Sequence, residues 1–138
     1  MENNILVVVG AGNVGLPTVM TLGMVGQSLE LAWEIFVVDF DRVSAKDTRK
    51  GYHPSLVGRF KADAALEMVR RAHGDRAAEG VRPVVAAAQS VPGLIRQAGA
   101  VFNGTDATLD AAFVSEEARN SFELRLSTGV IGSTALHT

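Results

Sequence analysis

Cysteine is absent from this chain. That excludes disulfides, thiolate zinc sites, iron–sulfur clusters, a cysteine nucleophile and a covalent thioester carrier. Charge of one sign is also lacking: 13 Lys and Arg stand against 15 Asp and Glu, a formal net charge of −2. Such a balance predicts neither a nucleic-acid footprint nor a polybasic membrane anchor. The first apolar run, from Ile5 to Val9, stops at Gly10 after five residues, too short for a signal h-region or a membrane span. The expectation is a soluble, cytoplasmic protein with no nucleic-acid and no membrane partner. Only three histidines occur, with no H-x-x-H or H-E-x-x-H pattern, so a histidine metal site has no support. A G-x-S-x-G elbow is missing too, which leaves a hydrolase triad unsupported.

What is present is enough for one core. The 138 residues are 47% hydrophobic, which predicts a single domain over residues 1–138. Four short, nearly continuous apolar runs stand out: Ile5-Leu6-Val7-Val8-Val9, Ile35-Phe36-Val37-Val38, Val84-Val85-Ala86-Ala87 and Ala100-Val101-Phe102. None alternates with polar residues, the pattern of strands buried on both faces of a parallel sheet. Between them, Phe60, Ala62, Ala65, Leu66, Val69 and Ala72 recur at helical steps, and Arg70, Arg71, His73 and Gly74 form a stop. This spacing predicts a helix over residues 59–73. A glycine-containing helix is expected over 14–25, with Pro17 in its first turn. Helical turns are expected over 27–33 and 94–97, and a longer helix within 109–126. Residues 127–138 read as a terminal strand or a frayed tail. Strand and helix alternation predicts an α/β, three-layer, Rossmann-like, doubly wound and mainly parallel sheet; if its strand order is 3-2-1-4, Gly104-Thr105-Asp106 comes beside the first strand's glycine-rich end. The one long irregular stretch runs over residues 40–58, a length that in a compact domain accompanies function or mobility.

Gly10-Ala11-Gly12-Asn13-Val14-Gly15 matches G-x-G-x-x-G directly after a predicted strand and at the start of a predicted helix. Gly10 permits a tight turn, Gly12 admits a phosphate to the backbone, and Gly15 lets helix and strand pack closely. The helix N-terminus favours an anion there. Asp39 ends the second strand, 24 residues beyond Gly15. A nucleotide-binding fold puts a ribose-binding carboxylate at that place. These features alone suit an NAD-binding Rossmann oxidoreductase as well as an ATP-binding protein.

A further ordered set follows: Asp39-Phe40-Asp41-Arg42-Val43-Ser44, then Asp47-Thr48-Arg49, then Val57-Gly58-Arg59-Phe60-Lys61, then Gly104-Thr105-Asp106. Together with the glycine loop it resembles the ubiquitin-activating-like adenylyltransferases, the ThiF, MoeB and HesA group. Their pattern is a glycine loop, D-x-D-x-V-x-x-S-N-L-x-R-Q, V-G-x-x-K and a T-D-N turn. The resemblance spans residues 5–106. It implies that ATP and Mg²⁺ take the place of NAD. Gly10, Gly12 and Gly15, with Asn13 in the same loop, would line the phosphates; Asp39 would hold the ribose, with Asp41 beside it; Arg49 and Lys61 would contact phosphates; and Asp106 would help hold Mg²⁺. Arg49, Lys61 and Asp106 are then the catalytic candidates. The implied reaction adenylates the C-terminal carboxylate of a ubiquitin-like or sulfur-carrier protein ending in Gly-Gly. The implied assembly is a homodimer or heterodimer.

Two physical points stand beside the resemblance. A cation in the first turn of a helix opposes the dipole, and a bound polyphosphate reverses that preference for Lys61. A carboxylate such as Asp106 close to phosphates calls for a divalent cation between them; the same residue also suits a helix N-cap. The chain departs from the pattern where Lys46-Asp47-Thr48 precedes Arg49 with one residue fewer, and where Ala107 follows Asp106. Only 32 residues follow Asp106, and no helix precedes the first strand. A catalytically degenerate nucleotide-binding subunit of a larger complex is therefore the alternative expectation, beside the NAD-binding oxidoreductase.

Overall fold

The computed structural model describes residues 4–105. Four strands, β1 (Ile5–Val9), β2 (Glu34–Val38), β3 (Val81–Val84) and β4 (Ala100–Asn103), lie in the order β3-β2-β1-β4, every pair parallel. This 3-2-1-4 order meets the condition under which the end of β4 lies beside the end of β1. Parallel strands require crossovers, supplied by α1 (Gly15–Ser28), α2 (Lys61–His73), α3 (Asp75–Glu79) and α4 (Pro92–Gln97).

The unbroken apolar strands are explained by burial on both faces. Leu6, Val8, Ile35 and Val37 pack against Val19, Ala65 and Val69 of α1 and α2. Val7, Val9, Val38 and Val101 face the other way, onto Ile95 of α4 and Ala98. Each fully buried valine contributes about 1.5–3 kcal/mol relative to exposure. The result is a three-layer α/β fold.

Several boundaries differ from the sequence expectation. The third strand begins at Val81 and ends at Val84 rather than covering 84–87. Arg82-Pro83 reads as a break, yet β3 is an edge strand. The carbonyls of Gly80 and Val84 point to β2, accepting from Ile35 and Asp39. Pro83 therefore turns its missing N–H away from β2, to the edge of the sheet among the described residues, where proline is tolerated. The 14–25 helix becomes Gly15–Ser28: Gly23 and Gly26 lie against Val69 and Trp33, contacts that bring the helix close to its neighbours. No separate helical turn covers 27–33, because Gln27 and Ser28 complete α1. The 59–73 helix starts at Lys61. A short α3 follows Gly74 unforeseen, burying only Ala77 and Ala78. The predicted turn over 94–97 is part of α4.

The irregular 40–58 stretch holds two 3₁₀ turns, Ala45–Lys50 and Pro54–Leu56. It is pinned at its far end by an antiparallel bridge between Arg42 and Phe60. The Val43 N–H donates to the Arg59 carbonyl and the Gly58 N–H to the Val43 carbonyl, both at 2.8 Å. The Arg42 guanidinium lies 3.9 Å over the Phe60 ring. The start of α2 is thereby drawn back to the end of β2. The helix expected within 109–126 and the tail over 127–138 lie outside the described residues. Among the described residues, no helix is long and apolar enough to cross a membrane.

Candidate nucleotide-binding site

The glycine loop leaves β1 at Gly10 and enters α1 at Gly15. A Cβ on Gly15 would sit 1.5 Å from the Gly10 carbonyl oxygen, and one on Gly104 would sit 2.8 Å from the Gly15 amide nitrogen. Only glycine permits these two approaches. They close the loop on itself and press the end of β4 against the start of α1. Thr105 continues this contact, with its Cγ2 2.7 Å from where a Gly10 Cβ would be. Its N–H and hydroxyl donate to the Asn103 Oδ1 at 3.0 and 2.6 Å. Sheet order thus brings Gly104 and Thr105 beside the loop; Asp106, the next residue, lies outside the described residues.

Gly12 is different. A Cβ there would meet nothing within 4 Å, so the backbone at this position faces open space. Asn13 is exposed beside it. The Val14 side chain offers the first turn of α1 no cap, and the free N–H groups of a helix start carry positive potential.

Asp39 is buried at the end of β2. Its Oδ2 accepts the Ala11 N–H at 2.8 Å and its Oδ1 the Asp41 N–H at 2.7 Å. This carboxylate holds the glycine loop in shape. Asp41 is exposed, and its carbonyl accepts the Lys61 N–H at 2.8 Å.

Lys61 lies in the first turn of α2, where the sequence put it, though as the helix's first residue, and Asp47 answers its charge. Its Nζ lies 3.6 Å from the Asp47 Oδ1, with the lysine side chain 15% and the aspartate 3% exposed. Asp47 also accepts the Ser44 N–H at 2.7 Å and the Ser44 hydroxyl at 2.9 Å on Oδ2. Burial pushes the Asp47 carboxyl up, but the Ser44 hydrogen bonds and the Lys61 and Lys50 charges outweigh it, and its pKa falls below the ordinary value. Arg49 stands exposed at the end of the first 3₁₀ turn, as does Lys50. Counted without a gap from Asp39, the D-x-D pattern puts its asparagine on Asp47 and its arginine on Lys50.

Tyr52 is a participant that sequence reasoning missed. It is 2% exposed, and its hydroxyl donates to the Ala11 carbonyl at 2.6 Å, with the Lys61 carbonyl 3.4 Å away. Burial first, then the Asp39 and Asp47 charges, push its phenol pKa up. One hydroxyl therefore connects the glycine loop to the start of α2. Asp47 was legible as the fourth residue of a Ser44-x-x-Asp47 capping box. Tyr52 offered only an aromatic inside a polar loop, which is a weak sign of burial.

A cavity of about 430 Å³ opens elsewhere, lined by Leu22, Trp33, Glu34, Arg76 and Arg82 among others. It lies at the amino ends of β2 and β3, the opposite end of the sheet from the glycine loop. No group of three or more potential metal ligands occurs among the described residues.

The comparisons with known proteins agree with this layout. A model of the ThiF family matches residues 1–135. The chain belongs to the ThiF family. No match was found among curated proteins. Among solved structures, the chain is similar to E. coli tRNA N6-threonylcarbamoyladenosine dehydratase, TcdA, in complex with ATP. That match has 20% identity and a TM-score of 0.56, covering 86% of this chain and 48% of the other. It is similar also to TcdA in complex with AMP, with 15% identity and a TM-score of 0.53 over 98% of this chain and 74% of that one. At these identities the likeness establishes the fold. This ThiF-family chain spans about half the length of the ATP-bound relative's chain.

Proposed function

We propose that the crevice between the glycine loop, the end of β2 and the start of α2 binds ATP, and that the chain activates a carboxylate by adenylation. The observation that carries this reading is convergence. Gly10, Gly12 and Gly15, the buried Asp39 and the α2 start bearing Lys61 meet through the backbone of Ala11. Membership of the ThiF family and a fold shared with an ATP-bound relative support it.

The residues fit a nucleoside triphosphate. The open space at Gly12 admits a phosphate where any side chain would fill it. The Asp39 carboxylate retains lone pairs for ribose hydroxyls beyond the two N–H groups it accepts. Lys61, held near its place by Asp47, would neutralise phosphate charge, with Arg49 and Lys50 at the exposed rim. Magnesium would supply charge neutralisation between phosphates. Its proposed ligand, Asp106, lies outside the described residues.

In the reaction, a carboxylate oxygen attacks the α-phosphorus. The bond from that phosphorus to the bridging oxygen of the β-phosphate breaks, and pyrophosphate leaves. The attacking group is already ionised, so no general base is needed. Positioning and charge neutralisation carry the catalysis. The favoured substrate is the C-terminal carboxylate of a small carrier protein ending in Gly-Gly. The relative is named for a tRNA nucleoside, but a net charge of −2 gives this chain no general attraction to polyanionic RNA.

ATP–pyrophosphate exchange tests the reading. Exchange should appear with a Gly-Gly-ended carrier and vanish in Lys61→Ala. Exchange with tRNA alone would replace the carrier by a nucleic-acid substrate. ATP binding without exchange on either would leave a nucleotide-binding subunit.

A further inference from the structure

Among the described residues, the Ala11–Gly12 peptide is held at its carbonyl. Its carbonyl accepts the Tyr52 hydroxyl at 2.6 Å, while the preceding N–H, that of Ala11, donates to Asp39. A trans peptide is planar, with its C=O and N–H pointing in opposite directions. Fixing the Ala11 carbonyl toward Tyr52 therefore aims the Gly12 N–H away from Tyr52. The space at Gly12 is open. We infer that Tyr52 is a positioning residue: by holding the Ala11 carbonyl it presents the Gly12 N–H to a phosphate of the bound nucleotide. The inference rests on the proposed ATP site and adds to it a residue that the motifs do not contain.

Three features suit Tyr52 to this work. It is buried, so its hydroxyl does not exchange partners with water. Its backbone N–H donates to the Asp47 carbonyl at 3.3 Å, so the same turn that anchors Lys61 places the ring. Its hydroxyl also lies 3.4 Å from the Lys61 carbonyl, so one side chain touches both the loop and the start of the lysine helix. Phosphate bound at Gly12 is thereby referred to the position of Lys61.

The test compares the wild-type chain with Tyr52→Phe, which keeps the ring and removes the hydroxyl, and with Leu56→Ala, a core change at a neighbouring buried residue. ATP affinity should fall about tenfold in Tyr52→Phe and stay within about twofold in Leu56→Ala, although the latter lowers the melting temperature more. In ¹⁵N-labelled wild type the Gly12 amide should shift downfield on adding ATP. If wild type binds no ATP, the nucleotide reading fails and the inference falls with it. If wild type binds ATP but Tyr52→Phe binds equally, or the Gly12 amide does not respond, the inference alone is overturned. Should Tyr52→Phe not fold, a wild-type Gly12 amide that does not respond to ATP still overturns the inference.

Discussion

Asp39 holds the backbone of Ala11: across 28 residues of sequence its Oδ2 accepts the Ala11 N–H at 2.8 Å. The residue read as a ribose ligand is thus also a structural member of the loop it faces. Replacing it should affect both stability and binding. Asp39→Ala leaves two N–H donors without their acceptor and should cost about 2–3 kcal/mol in urea unfolding. Asp39→Asn, which retains one acceptor oxygen, should cost less, and both should weaken ATP binding.

Gly15 and Gly12 should respond in opposite ways. A methyl on Gly15 overlaps the Gly10 carbonyl oxygen, so Gly15→Ala should destabilise the fold by about 3 kcal/mol or more. Gly12→Ala meets no neighbour and should unfold within about 1 kcal/mol of wild type, yet lose ATP affinity because its Cβ takes phosphate space. Urea melts with parallel nucleotide titrations separate the two effects.

Acid should expose the Asp47 anchor. Its carboxyl titrates below the ordinary value when folded, burial being outweighed by Ser44, Lys61 and Lys50. A depressed folded pKa adds stability that is full above the unfolded value, near 3.8, and is lost as pH falls through the folded one. The stability gap between wild type and Asp47→Asn should therefore hold between about pH 5 and 7 and close below pH 4. Melting curves across that range check it.

Tyr52 is the only tyrosine in the chain, so phenolate absorbance near 295 nm reports it alone. Its pKa is raised by burial and by the Asp39 and Asp47 charges. At about pH 10.5 the folded protein should show little phenolate, whereas the urea-unfolded chain should be largely ionised. A raised folded pKa means stability present below the unfolded value and lost as pH climbs toward the folded one. The absorbance change should therefore coincide with alkaline unfolding.

Much of this was legible in the sequence. The apolar runs at Ile5 and Ile35 marked doubly buried strands because parallel sheets leave no wet face to encode, and the strand–helix alternation implied parallel crossovers. The glycine spacing carried the loop, since the Gly10–Gly15 and Gly15–Gly104 approaches exclude every other residue. The third strand was misplaced because proline is a strand breaker everywhere except at an edge, and edge position is a tertiary fact. The Tyr52–Ala11 bond joins residues 41 apart in sequence, and no periodicity encodes such a contact. The short α3 was hidden because alanines at two positions do not distinguish a helix from a turn.

Adenylation depends first on which nucleotide the crevice takes. Isothermal titration of the wild-type chain with ATP, and separately with NAD, measures this. Saturable one-site binding of ATP, with NAD at least about 100-fold weaker, is the predicted result. Tight NAD binding with no heat from ATP would contradict it.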